Sequence, residues 1–128
     1  MQLGEGPSRW REGFSGISVG EVAFGFIEPH IRAAWPAYRD HGHWGVTTIP
    51  RAAWLEILAS LEDQQRRLVL GEEARVPAYW GFDQALVTSK LARDPDLHHR
   101  KLARMIDEIV TWLRGALARC DEITVYGI

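Results

Sequence analysis

The chain has 128 residues, 46% of them apolar and 25% charged, with six tryptophans. That composition excludes a disordered or fibrous protein and suits one domain large enough to bury its own core. Fifteen Lys and Arg against 17 Asp and Glu leave a net charge of −2, which argues against a general affinity for nucleic acid or anionic lipid. A single cysteine, Cys120, excludes an internal disulfide framework and suits a reducing compartment. No run reaches membrane-spanning length, and residues 1–14 lack the cationic and apolar regions of a secretory signal, so the cytoplasm is the expected address of a soluble protein.

Residues 1–16 carry four glycines, a proline and no sustained period, and read as a flexible N-terminal arm tacked down by Trp10 or Phe14, with the domain proper running from 17 to 128. Ser18 with Glu21 three positions on matches a capping box. It opens a predicted helix in which Val22, Phe26, Ile27, His30, Ile31 and Ala34 recur near helical spacing. Pro29 should kink this helix near Glu28, and Pro36 should end it. A strand over 19–27 is the competing reading. Asp40 to Gly45 reads as a loop, and Val46 to Ile49 as a short β-branched strand ending at Pro50.

Pro50 suits the first position of a second helix whose apolar face is Trp54, Ile57, Leu58, Leu61 and Leu68, stopped by Gly71. Glu62 with Arg66, and Asp63 with Arg67, have the favoured i,i+4 orientation for exposed ion pairs. A shorter third helix is expected from Phe82 to about Leu91, with Phe82 and Leu86 inward. Asp94 can cap a fourth, with Pro95 in its first turn and one continuous apolar face of Leu102, Met105, Ile106, Ile109, Val110, Leu113 and Leu117. The β-branched run Ile123 to Tyr126 predicts a closing strand paired with Val46 to Ile49. The expected architecture is mainly α within the α+β class: a small bundle of about four helices carrying a short two-stranded element.

Chemistry-bearing residues concentrate in Asp40, His41, Gly42, His43, Trp44 and Gly45. A metal site there would use His41 and His43 with Asp40, but two histidines two apart lack the companion ligands of a specific zinc motif. The simpler reading has Trp44 in the core, the glycines allowing the turn and the histidines solvated. His98, His99, Arg100, Lys101 and Arg104 form a basic run that reads as the solvated face of the fourth helix, since no interleaved aromatics or DNA-reading motif accompany it. Cys120 reads as a partly buried thiol at a helix end, without a local signature of a nucleophile. No GxSxG, phosphate-binding glycine loop, HExxH or paired-cysteine spacing is present. The residues therefore predict neither an enzyme nor a cofactor. Trp35, Tyr38, Trp44, Trp54, Tyr79 and Trp80 are many large aromatics for one small domain; most belong in a core, and one or two, Trp80 among them, can anchor a partner.

The loop DHGHWG, the segment TTIPRAAWLEIL, the stretch from Asp94 to Leu117 with its DP start and WLR, and the ending ITVYGI resemble small bacterial immunity proteins of the contact-dependent growth inhibition and polymorphic-toxin type. The resemblance implies a protein made beside a secreted toxin, binding that toxin's C-terminal domain in the cytoplasm and occluding its active site or substrate channel. Where such a toxin is a nuclease, acidic residues should face its cationic site. Glu62, Asp63, Glu72 and Glu73 are the densest acidic group and, with Trp80, the expected binding residues. The competing class is a small metal- or ligand-binding, enzyme-like domain centred on residues 40–45.

Overall fold

Three helices and a four-stranded antiparallel sheet, rather than about four helices with a two-stranded element, make up the described residues of the chain. The computed structural model describes residues 2–6, 15–38, 45–70, 93 and 95–127, with all their side chains except those of 21, 22 and 95–99. The expected helix from Phe82 to Leu91 lies outside these residues. In chain order the elements are β1 (Gln2–Glu5), β2 (Gly16–Ser18), α1 (Glu21–Ala34), β3 (Val46–Pro50), α2 (Arg51–Val69), α3 (Pro95–Arg119) and β4 (Glu122–Tyr126).

The expected pairing of the two β-branched runs is present, with Val46 opposite Tyr126 and Ile49 opposite Ile123. Of the two further strands, β1 comes from the stretch read as an arm, while β2 starts at the last residue of that stretch, Gly16, and runs on to Ser18. β1 inserts beside β4, with Gln2 opposite Tyr126 and Glu5 opposite Ile123, and β2 folds back on its far side, giving the order β2-β1-β4-β3. Residues directly opposite in antiparallel strands share a face. Leu3, Ile49, Ile123 and Val125 therefore point to one side, where all four are buried in the core shared with the helices. Gly4, Thr48, Thr124 and Tyr126 point to the other. There the Thr124 hydroxyl donates to the Gly6 carbonyl at 2.8 Å and lies 2.9 Å from the Thr48 hydroxyl. Having one proton to give, Thr124 must accept from Thr48, so three segments are linked by one chain of hydrogen bonds. Gly6 adopts φ 75°, a left-handed conformation open to glycine at little cost, and its N–H reaches the Glu122 carbonyl at 2.9 Å.

α1 is the predicted helix and not the competing strand, but no capping box forms. Ser18 belongs to β2, the cap is Gly20, and no side-chain bond closes the first turn. Glu21 is thus the first helical residue rather than the third. Pro29 sits inside the helix, and the Trp35 N–H closes its end on the Ile31 carbonyl at 2.8 Å. Pro50 is the last residue of β3 and the cap of α2, so strand and helix join with no loop between them. The five residues of the predicted α2 face are all buried. Trp54 reaches from that face to the sheet, its Nε1 donating to the Ile123 carbonyl at 3.1 Å.

α2 packs against both α1 and α3. On one side His30 and Gln64 share a 2.8 Å hydrogen bond; on the other Gln65 Nε2 donates to Asp107 Oδ1 at 3.0 Å. The α3 face behaves as its spacing predicts, with Leu102, Ile106, Ile109, Val110, Leu113 and Leu117 buried and Met105 packed at its margin. The lower ends of α2 and α3 are tied through Arg51, whose guanidinium donates to the Leu117 carbonyl. Arg119 bonds Glu5, and that hydrogen bond raises the Arg119 guanidinium above its ordinary value. Among the described residues no helix is long and apolar enough to cross a membrane.

Candidate functional site

Helical spacing brings Ala52, Leu55, Ala59, Glu62, Arg66 and Val69 onto one outward stripe of α2, away from the buried face. Leu55 is 47% exposed, Val69 73% and the capping residue Leu70 78%; Val46 is the only other exposed large apolar residue among those described. Single exposed apolar side chains are ordinary on protein surfaces. Here two of the four fall on α2 and a third, Leu70, caps its end, and about 21 Å of axis separates Leu55 from Val69.

Between those apolar ends sit two of the residues expected to bind a partner. Glu62 does not pair with Arg66, as the i,i+4 spacing suggested; it turns to α3 and accepts from Arg114. Asp63 takes the expected bond from Arg67 at 3.1 Å and also one from Arg66 at 3.1 Å. One carboxylate thus faces two guanidiniums, and the adjacent pair Glu62 and Asp63 is offset in space by three arginines. Glu72, Glu73 and Trp80 lie outside the described residues. So do Asp40, His41, Gly42, His43 and Trp44, the whole of the candidate ligand loop but Gly45, whose carbonyl accepts from the Gly127 N–H at 2.7 Å.

The basic run on α3 is partly described. Arg100, Lys101 and Arg104 are exposed, and Arg104 pairs with Glu108 at 3.4 Å. Cys120 is half-buried at the end of α3, its thiol donating to the Ala116 carbonyl at 3.0 Å, which is the structural role read from its position. Among the described residues no group of three or more His, Cys, Asp and Glu side chains could hold a metal ion.

One polar cluster escaped the sequence reading. Glu28 is completely buried, and its Oε1 accepts from the Tyr38 hydroxyl and from Arg32 Nη2, each at 3.3 Å. The Arg32 guanidinium also lies 5.9 Å from the centroid of the Tyr38 ring. Taking a carboxylate out of water is expensive, and a charge-assisted bond with a second donor offsets the cost. The cluster ties α1 to the turn that follows it, at Tyr38. The signal was available: Glu28 falls on the inward face with Phe24 and Ile31, and Arg32 stands at i,i+4 from it. Leu55 gave the complementary signal, an apolar residue off the stripe of Trp54, Ile57, Leu58 and Leu61.

No family model matches this sequence, and neither the curated proteins nor the solved structures contain a match.

Proposed function

We propose that the protein is an immunity protein of the polymorphic-toxin type, which binds the C-terminal domain of a co-produced toxin in the cytoplasm and blocks its active site or substrate channel. The segments DHGHWG, TTIPRAAWLEIL and ITVYGI support the role by resemblance, and TTIPRAAWLEIL is the stretch that forms β3 and the start of α2. The observation that carries the reading is the outward stripe of α2, which offers Leu55, Val69 and Leu70 to a partner around a centre of paired charges. Exposed apolar side chains can anchor a partner, and here they form two separate anchor points with the paired charges between them rather than one apolar centre inside a polar rim.

The arginines beside Glu62 and Asp63 change how such an interface works. Carboxylates offset within 4 Å project little net field, so affinity rests on the apolar anchors more than on long-range steering by these two residues. The test is co-production with the toxin encoded beside this chain. The unaltered protein should restore growth and co-purify with the toxin domain, while Leu55→Asp with Val69→Asp should lose both and keep its fold by circular dichroism. Failure of the unaltered chain to protect or co-purify overturns the immunity role. Protection by a folded double variant overturns only the placement on α2.

A further inference from the structure

We draw no further inference here: the strongest candidate, the exposed cationic run Arg100, Lys101 and Arg104 on α3, is a charged helix face paired in part through Arg104 to Glu108, and nothing in the structure shows what covers it.

Discussion

Replacing Leu3 with Ala distinguishes a strand built into the core from an arm laid on the surface. Leu3 is fully buried and stands between Ile17 on β2 and Val125 on β4. Truncating a buried leucine removes its transfer free energy and leaves a cavity that neighbours fill only in part, together costing about 2–5 kcal/mol. Against a typical total near 5–15 kcal/mol, that is a large fraction of the stability of the whole domain. With a urea m-value of about 2 kcal/mol/M, a loss of about 3 kcal/mol moves the unfolding midpoint down by about 1.5 M. Tryptophan fluorescence is a suitable readout, since Trp54 is buried against β4. An exposed arm would tolerate the change within about 0.5 kcal/mol. A midpoint shifted by less than about 0.3 M would therefore refute the placement of β1 in the sheet. Coupling to Val125→Ala in a double-mutant cycle gives a second readout, because residues in contact interact by about 0.5 kcal/mol or more and distant ones do not.

Four further outcomes follow from the same geometry. Ile109→Asp puts an uncompensated charge on the buried face of α3 and should cost several kcal/mol in urea unfolding; an unchanged midpoint would mean that the face is exposed. Tyr38→Phe removes a hydroxyl from Glu28 and should lower stability by about 1 kcal/mol, with little effect if the cluster does not form. Thr124→Val deprives the Gly6 carbonyl of its donor in a nearly isosteric change and should cost about 1–3 kcal/mol, whereas Thr48→Val should cost less, since only the outer link of the chain is lost. Glu62→Gln with Asp63→Asn should alter the association rate with the toxin domain by no more than a few-fold in stopped-flow measurements; a large drop with a flattened salt dependence would restore these carboxylates as steering groups.

What could be read in the sequence was what repeats locally. α2 and α3 each carry at least five apolar residues at helical spacing, and the runs Val46 to Ile49 and Ile123 to Tyr126 are β-branched enough to announce strands and even their pairing. β1 and β2 have no such pattern, with one large apolar residue each, Leu3 and Ile17, among glycines. β1 becomes a strand because β4 offers it a ladder and a buried place for Leu3, and that partner lies at the far end of the sequence. Tertiary pairing overrides weak local preference here, as β-propensity generally allows. The capping box failed for a related reason: Ser18 is opposite Gln2 in the sheet and cannot also begin the helix. At the candidate site, the carboxylates of Glu62 and Asp63 were visible, and Arg66 and Arg67 stood within helical reach of them. Arg114 was not legible, since its approach to Glu62 depends on how α3 lies against α2.

The pairing of β1 with β4 also sets an order of events during synthesis. Thr124 and Gly6, which share a hydrogen bond, are 118 positions apart. At the usual pace of translation roughly 10 s passes between the emergence of the first strand and that of its inner neighbour. Until then β1 can pair only with the three-residue β2, and Leu3 has neither Val125 nor the sheet side of the core to cover it. A two-stranded ribbon alone is marginal in water, so the helices must hold whatever structure exists during this interval. The sheet then forms last and around its centre, and β1, made before every other described element, is among the last to be fixed.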